Sequence, residues 1–425
     1  MIGIIGGGLA GLTMAKELAE AGAEVSLFEE RSNLGGLIPQ GFLGGVYVDF
    51  GADAYTRRDP NVTSYIESLG LTTLLPNGRS WIFDGEAFPI PENATVGIPA
   101  DPFNPDIMSL LRDPQRVAQD LELPASVGAE SATLGQLVRA RMGNELVDKV
   151  VAPIVSAIYS THPDNLALDP VIAENFKKFG TLSAAVKAGL HGPAIASVVG
   201  GMSRLPLRLA ELAQEAGAQI HTGARVRAIR PGEIDVEIAG RQRTVRVEEI
   251  VVATGVARAL DLLPGVMHCE PIALPSGRLT THVNLVLNAP ALREAPRGSG
   301  LLTAQGAARA KALSHMSHKW PWLREVSDYE FLRVSYAVNE QIPVEQALVD
   351  ASQLLDVPLN STQLVDSYVL RWGGALTPST PELRRWARAL TPPPGVSVVG
   401  VWRAGSGISA VLPHALAEAD RILGR

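Results

Sequence analysis

The sequence predicts an α/β fold in which a domain built on a parallel sheet is interleaved with a second domain of the α+β type. Three observations predict this fold. An apolar run, Ile2 to Ile5, is followed by glycines and then by the helix-forming stretch Leu9 to Ala21. A second strand pattern, Ala23 to Phe28, comes next. Apolar runs with glycine-rich ends return at Glu249 to Gly255 and at Val396 to Val401, so distant parts of the chain are expected to build one sheet.

Length and composition limit the class of protein. The 425 residues exceed the roughly 100–200 residues of a typical domain, so two domains are expected. Hydrophobic residues make up 46% and charged residues 19%, and the net charge is −7, which is the balance of an ordinary globular protein without the basic excess of nucleic-acid-binding proteins. The one cysteine, Cys269, excludes an internal disulfide framework, and the eight histidines have no metal-ligand spacing. We therefore expect a cytoplasmic protein without a metal.

The apolar start of the chain predicts mature structure. It lacks the basic segment of a signal peptide and carries glycines at fixed offsets. No uncharged apolar run of about 18 residues occurs, so no membrane-spanning helix is expected. This pattern leaves peripheral contact with a membrane open.

The first glycine turn predicts a dinucleotide site. Gly6, Gly8 and Gly11 have the spacing G-x-G-x-x-G between a strand and a helix. In such folds the first glycine allows a tight turn, the second lets a pyrophosphate approach the backbone, and the third lets the helix pack closely on the strand. The phosphates then face the N-terminus of the helix.

Residues after the second strand distinguish FAD from NAD. Glu29 ends that strand close to twenty residues after the glycines, where a carboxylate can bind ribose hydroxyls. Gly35 and Gly36 follow, and a glycine pair just after the ribose-binding acid lets the chain pass against a longer cofactor. These residues favour a Rossmann-like FAD-binding domain.

Further segments are expected to return to this domain, which we place at residues 1–75, 196–265 and 391–425. The predicted cofactor contacts come from glycine turns and strand ends of these segments and from one residue outside them: Gly6, Gly8, Ala10, Gly11, Glu29, Glu30, Arg31, Gly35, Gly36, Leu37, Gly51, Ala52, Val226, Thr254, Trp372, Gly400, Val401, Gly407 and Ile408.

The remaining residues predict a substrate domain, with a helical part at 76–195 and a mixed strand and helix part at 266–390. Helical patterns occur around Asp106 to Arg112 and from Leu134 to Val150. Leu279 to Leu287 and Tyr329 to Val338 alternate as strands do. The proline-rich stretch Thr391 to Pro394 is typical of a linker.

Motifs along nearly the whole chain resemble one family. These motifs are Phe83 to Pro91, Glu130 to Leu137, Met142-Gly143, Val151 to Tyr159, Pro163 to Leu166, Gly298 to Leu302, Ser317 to Pro321 and Arg333 to Ser335. In this order they resemble the protoporphyrinogen or coproporphyrinogen oxidases, within the FAD-dependent amine oxidase-like superfamily. The fold class that this resemblance implies is α/β, with a Rossmann-like FAD-binding domain of the GR2/amine oxidase-like type and an interleaved α+β substrate domain.

Three departures from the family concern the substrate side and the last motif. The family usually has Pro-Gln-Tyr after its Arg-Trp, whereas Arg371-Trp372 leads here into a different loop that includes Thr377 to Thr380. Val401 stands where the family usually has Asn, and His414-Ala415 stands where it usually has Ser-Gly. The substrate could differ accordingly.

The resemblance implies oxidation of a porphyrinogen to the porphyrin in heme biosynthesis. Hydride leaves a bridging carbon for flavin N5, a pyrrole proton is lost, and three rounds remove six electrons. Dioxygen then regenerates FAD and forms peroxide. No Ser/His/Asp or Cys/His constellation is expected, because the flavin carries the chemistry. The substrate candidates are Arg57, Arg58, Lys319, Trp320 and Arg403, of which the arginines suit propionate carboxylates.

Two other classes of function stay open from sequence. An amine oxidase-like or desaturase-like flavoenzyme would act on another substrate, and an amine oxidase should keep an aromatic cage and a lysine near flavin N5. Lys319 does not separate these cases. A flavoprotein fold without redox turnover is the third class, and the intact phosphate-side glycines argue against it.

Overall fold

A computed structural model describes residues 1–57, 59–159, 161–190, 194–274, 277–376 and 381–425. The chain forms two compact units. Unit 1 consists of Met1–Pro76, Pro193–Thr280 and Arg371–Arg425, and unit 2 consists of Asn77–Gly192 and Thr281–Leu370.

The strands in the described residues are β1 (Ile2–Ile5), β2 (Val25–Phe28), β3 (Gln40–Leu43), β4 (Val46–Asp49), β5 (Tyr55–Thr56), β6 (Thr73–Leu74), β7 (Ser80–Asp84), β8 (Glu86–Pro89), β9 (Ala94–Thr95), β10 (Ile98–Pro99), β11 (Ile195–Val198), β12 (Gln219–His221), β13 (Ala224–Arg230), β14 (Glu233–Ile238), β15 (Arg241–Arg246), β16 (Glu249–Val252), β17 (Arg278–Leu287), β18 (Gly300–Thr303), β19 (Ala312–His315), β20 (Glu330–Tyr336), β21 (Leu364–Leu376) and β22 (Val396–Val398).

The α-helices in the described residues are α1 (Leu9–Glu20), α2 (Pro60–Ser68), α3 (Pro105–Leu110), α4 (Gln115–Ala118), α5 (Leu134–Met142), α6 (Asn144–Leu146), α7 (Ala152–Tyr159), α8 (Pro170–Phe179), α9 (Leu182–Gly189), α10 (Arg204–Glu215), α11 (Val256–Leu262), α12 (Met316–Lys319), α13 (Trp322–Val326), α14 (Val344–Leu355), α15 (Pro381–Ala389), α16 (Val401–Ala404) and α17 (Ile408–Leu423).

Unit 1 is built on a five-stranded parallel sheet with the strand order β12-β2-β1-β16-β22. All residues of β1 and β2 are buried, as expected of parallel strands that are covered on both faces. Helix α1 packs against α10 and α17 on one face of this sheet. Its Leu12, Met14 and Leu18 are fully buried there. The sheet therefore brings the ends of β1, β2, β16 and β22 to one edge, where ligands bind in open α/β sheets.

Unit 2 contains a seven-stranded sheet with the order β21-β17-β20-β19-β18-β7-β8. Strand β18 pairs parallel to β7, whereas β17, β19 and β20 pair antiparallel. Every second residue of β17 and β20, including Val283, Leu285 and Val334, faces a core that α14 completes with Leu348 and Leu354. The alternation that the sequence predicts for these two strands is thus present.

The helical part of unit 2 has a buried ion pair at its centre. Asp120 and Arg141 are both fully buried, and Asp120 Oδ1 lies 2.7 Å from Arg141 Nε. Asp120 also accepts the N–H groups of Leu182 and Ser183, at 2.9 and 2.8 Å, so it caps the N-terminus of α9. Arg141 donates to the Pro124 carbonyl at 2.8 Å. This network joins three segments of the helical part.

The helix expected from Leu134 to Val150 is not continuous. α5 ends at Met142, and Gly143 follows with φ = +93°, which breaks the helical hydrogen bonding. The chain resumes as α6 and then forms a π-helical turn at Val147–Val151 before α7. The apolar spacing predicted the buried face, but it did not predict this interruption.

The bounds of the two units differ from the expected domain bounds by a few residues near 76 and 195 and over two longer stretches. Residues 266–280 and 371–390 lie in unit 1, whereas we expected them in the second domain. Packing explains the difference: Leu383 and Ala387 of α15 are buried in the same core as Val252 of β16 and Trp402 of α16. The roles of the units as FAD-binding domain and substrate domain stay predictions.

Within the described ranges, no helix has both the length and the apolar composition that a bilayer span requires. The same residues contain no group of three or more His, Cys, Asp or Glu side chains arranged to hold a metal ion. Cys269 is a free thiol, and partial burial raises its pKa.

Candidate functional site

Two glycines of the first turn are required by packing within unit 1. Gly6 follows β1 with φ = +110°, and a Cβ added there would lie 2.9 Å from the Ala253 carbonyl oxygen. Gly11 lies in the first turn of α1, and its added Cβ would lie 2.0 Å from the Gly6 carbonyl oxygen. Gly6 therefore permits the turn, and Gly11 permits the close approach of α1 to the strand.

Packing within the protein does not require a glycine at position 8. Its φ is −82° and its ψ is −178°, a conformation open to any residue. A Cβ added there would contact only the Gly36 Cα, at 3.9 Å. Gly8 precedes α1 directly, where N–H groups of the first turn have no partner within the helix. Space beside such a glycine fits the close approach of a pyrophosphate, so these residues suit a dinucleotide cofactor.

Glu29 is fixed at the end of β2 by backbone amides. Its Oε2 accepts the Gly7 N–H at 2.7 Å, and its Oε1 accepts the Arg31 N–H at 2.8 Å. A carboxylate can accept about four hydrogen bonds, so both oxygens retain capacity for hydroxyl donors. This geometry leaves Glu29 able to bind ribose hydroxyls, and the ribose contact stays a prediction.

The glycine pair lies directly against the first turn. Gly35 donates its N–H to the Gly7 carbonyl at 2.8 Å, and its φ is +102°. Gly36 has φ = +60°, and a Cβ added there would lie 3.1 Å from the Gly8 Cα. Side chains at these positions would therefore narrow the space beside Gly8.

The second predicted turn meets the first through Leu37. The Leu37 carbonyl accepts the Ala52 N–H at 3.2 Å, and a Cβ added at Gly51 would lie 2.3 Å from that carbonyl oxygen. The structure thus brings Leu37, Gly51 and Ala52 together, as the prediction of a common cofactor contact requires.

Asp49, at the end of β4, makes a contact that sequence reasoning did not predict. Its carboxylate accepts the N–H groups of Met202 and Ser203 at 2.8 Å each, immediately before α10. Burial raises the pKa of Asp49 to about 6, although these amides act in the opposite direction. Gly201 has φ = +98°, and its added Cβ would lie 2.8 Å from Asp49 Oδ1. Asp49 therefore anchors the start of α10.

Several predicted cofactor contacts have side chains committed elsewhere. Ala10, Val226 and Ile408 are buried in the cores of unit 1, so only their backbone groups suit a ligand. Glu30 forms an ion pair with Arg225, with Oε1 and Nε 3.2 Å apart, and both side chains are about half exposed. Glu30 thus has a surface partner.

The last motif is attached to the end of β16. Trp402 Nε1 donates to the Thr254 carbonyl at 3.0 Å, and Gly400, with φ = +121°, precedes α16. The Thr254 hydroxyl is buried and has no hydrogen-bond partner among the residues that the structure describes, as suits a residue that contacts a polar ligand. Gly407, with φ = +98°, directly precedes α17, and Val401 packs against the core of α1.

Arg403 binds within unit 1. Its Nη1 donates to the Ala387 carbonyl in the last turn of α15, a position that favours a cation. Burial lowers the pKa of Arg403. This contact stabilises α15 against α16, and a substrate role for Arg403 stays a prediction.

The other substrate candidates are distributed over both units. Arg57 follows β5 in unit 1, where its N–H binds the Ala194 carbonyl at 3.0 Å, and Arg58 lies outside the described residues. Trp372, which was predicted as a cofactor contact and not as a substrate residue, is half-buried in β21. In unit 2, Trp320 is only 1% exposed, and Lys319 Nζ lies 4.9 Å from the centroid of its indole ring. The loop at Thr377 to Thr380 is also outside the described residues.

A buried network in unit 2 surrounds Glu330 at the start of β20. The carboxylate accepts Ser317 Oγ at 2.5 Å and Arg324 Nη2 at 3.1 Å, and His315 Nε2 lies 2.8 Å from Oε2. Burial alone would raise the pKa of Glu330, but these hydrogen bonds outweigh it and lower the pKa to about 2. Because Ser317 belongs to α12, the network holds the helix that ends at Lys319.

Glu330→Gln is expected to lower the free energy of unfolding at neutral pH by about 2–3 kcal/mol. The carboxyl is more acidic in the folded state than its usual value of 4.5, so its contribution is present above that value and is lost as the pH falls towards 2. Urea unfolding at pH 7 and at pH 3 measures the change. We expect the difference between wild type and variant to shrink at pH 3, whereas the exposed control Glu325→Gln should change little at either pH.

Comparison with known proteins identifies the family. Residues 9–321 match the family model for flavin containing amine oxidoreductase. A coproporphyrinogen III oxidase of Mycobacterium tuberculosis is 28% identical over 99% of this chain and 92% of its own length. One from Bacillus subtilis is 33% identical over 39% of this chain and 38% of its own length.

Solved structures share the fold. A protein of Exiguobacterium sp. 255-15, provisionally named a protoporphyrinogen oxidase, is similar with a TM-score of 0.80 at 23% identity, covering 100% of this chain and 99% of that protein. A putrescine oxidase variant gives a TM-score of 0.67 at 16% identity, covering 100% and 98%. The predicted fold class and family resemblance are confirmed. The chain belongs to the flavin containing amine oxidoreductase family and is a flavin-dependent oxidoreductase.

Proposed function

We propose that this chain is an FAD-dependent oxidase of heme biosynthesis that converts coproporphyrinogen III to coproporphyrin, with dioxygen as electron acceptor. The observation that carries the proposal is the similarity to coproporphyrinogen III oxidases over 99% of the chain. Protoporphyrinogen IX is the other porphyrinogen to be compared, because the Exiguobacterium structure bears the name of an oxidase that acts on it.

Residues of unit 1 support FAD as the form of the flavin. Glu29 presents a fixed carboxylate for ribose hydroxyls, and the space beside Gly8 suits a pyrophosphate. FMN has neither a pyrophosphate nor an adenosine. A site with both features is therefore expected to prefer FAD.

The proposed reaction gives the protein three tasks. When bound, the flavin would supply a hydride acceptor at N5 for a bridging carbon of the substrate, a pyrrole N–H proton would leave for solvent, and three such rounds would remove six electrons. The chain's residues must hold the cofactor, orient the macrocycle and compensate the propionate charges. We propose that Arg57, Arg58 and Lys319 compensate the charge of the propionates; of these, Arg57 and Lys319 lie within the described residues.

Aerobic turnover tests this proposal. We expect coproporphyrinogen III to give fluorescent coproporphyrin with three molecules of peroxide for each porphyrin, since each round passes two electrons to dioxygen. Protoporphyrinogen IX is compared at equal concentration, and putrescine and cyclohexylamine serve as amine controls. Peroxide formed from an amine, with no porphyrin formed from either porphyrinogen, would contradict the proposal.

A further inference from the structure

The open edge of β13 lies on the Glu29 side of unit 1. β13 is an outer strand of the sheet β13-β14-β15. The Ala224 N–H donates to the Glu29 carbonyl at 2.8 Å, so it points away from β14. Backbone groups alternate in direction along a strand, so the N–H and C=O of Val226 point to this same open side. A β-bulge follows between Val226 and Ala228.

This edge suits an adenine ring. A backbone N–H and C=O of one residue present a donor beside an acceptor, and adenine presents the complementary pair at N1 and N6. Glu29, which we predict to bind the ribose, is joined to the same strand through Ala224. The protein would therefore bind the adenosine half of FAD with two neighbouring features: the edge of β13 for the adenine base and Glu29 for the ribose.

The side chain of Arg258 also contacts this edge of β13, at the Val226 carbonyl. It lies in the first turn of α11, and its Nη2 donates to the Val226 carbonyl. Its Nη1 lies 3.2 Å from Asp261 Oδ2, so the guanidinium is held at both ends. A carbonyl oxygen has two lone pairs, so the Val226 carbonyl can accept Arg258 and an adenine amino group together.

We infer that Arg258 flanks the adenine ring of FAD and strengthens the binding of the adenosine half of the cofactor. A guanidinium is planar and stacks on aromatic rings, so it suits the face of adenine. Its N–H groups can also donate to the N7 acceptor of adenine, but not to the N6 amino group, which is itself a donor. The inference rests on FAD as the cofactor of the proposed function. It adds a side chain on α11 to the predicted contacts, which were drawn from glycine turns and strand ends.

The test measures nucleotide binding without turnover. Flavin is removed, and FAD binding is followed by quenching of flavin fluorescence, while ADP binding is followed by the shift in melting temperature. Arg258→Ala is expected to weaken FAD and ADP by roughly 2- to 30-fold. Arg258→Lys should stay weakened, because an ammonium lacks the planar fork.

The matched control is Arg227→Ala. Arg227 lies on the same strand but binds Glu237 at 2.7 Å, so its loss should leave both affinities unchanged. Arg258→Ala with wild-type affinity for FAD and ADP would overturn the inference, as would an equal loss in Arg227→Ala. A wild type that binds neither nucleotide would overturn both this inference and the FAD part of the proposed function. A wild type that shows the Arg258 effect but oxidises no porphyrinogen would overturn the proposed function alone.

Discussion

Gly8→Asp should yield a folded protein that retains no flavin. The backbone of Gly8 has φ = −82°, and its added Cβ contacts only the Gly36 Cα at 3.9 Å, so the protein itself tolerates a side chain there. An aspartate would place negative charge and volume where we predict the pyrophosphate. Coulomb repulsion and loss of space act in the same direction, so we expect purified variant protein to be colourless.

Gly11→Ala separates loss of the cofactor from loss of the fold. Its Cβ would lie 2.0 Å from the Gly6 carbonyl oxygen, so this variant should be destabilised whether or not flavin is present. Absorbance of bound flavin and the melting temperature of flavin-free protein are measured for both variants. We expect flavin-free Gly8→Asp to melt at the same temperature as flavin-free wild type. Flavin-free Gly11→Ala should melt at a lower temperature. A yellow, fully loaded Gly8→Asp variant would refute the placement of the phosphates.

Arg141→Met is expected to lower the free energy of unfolding by about 3–5 kcal/mol. Both members of the Asp120–Arg141 pair are fully buried, so removal of the cation leaves an uncompensated carboxylate in the interior. Asp120 also caps α9 by accepting the N–H groups of Leu182 and Ser183. Loss of Arg141 should therefore also weaken the packing of α9. Urea unfolding followed by circular dichroism measures the change.

Arg139→Met is the matched control for Arg141→Met, because it removes the same side chain two residues earlier on α5. Arg139 pairs with Asp148 and Asp164 at 2.8 and 3.1 Å, but these carboxylates are 59% and 39% exposed. Its loss should cost at most about 1 kcal/mol. The double variant Asp120→Leu with Arg141→Met should recover part of the stability that Arg141→Met loses, because it also removes the buried carboxylate that the single variant leaves without a cation. Equal losses in the two single arginine variants would contradict a special role of burial.

The parts of unit 1 that sequence predicted are those set by local rules. Gly6, Gly8 and Gly11 follow a fixed spacing that a strand, a turn and a helix require together, and β1, α1, β2 and α17 form near their expected positions. The family resemblance supplied the fold class and the porphyrinogen hypothesis. Spacing alone indicated only a dinucleotide site.

What sequence did not predict depends on contacts between distant residues. The Glu330 network joins Ser317, Arg324 and His315, and although Ser317 begins one of the family motifs, no local pattern shows that these three residues meet at one carboxylate. Asp49 meets the amides before α10 across more than 150 residues of chain. Residues 371–390 were assigned to the second domain because no local pattern reveals that α15 packs in the core of unit 1.

The most direct test of the central claim is anaerobic mixing of the flavin-loaded protein with coproporphyrinogen III, followed by absorbance of the flavin band. We expect rapid bleaching by this porphyrinogen, then recovery of the yellow colour and porphyrin fluorescence when air is admitted. Protoporphyrinogen IX in the same experiment ranks the two substrates. Absence of bleaching by both porphyrinogens would contradict the proposed function and would indicate a different substrate, which the altered loop at Thr377 to Thr380 would then have to bind.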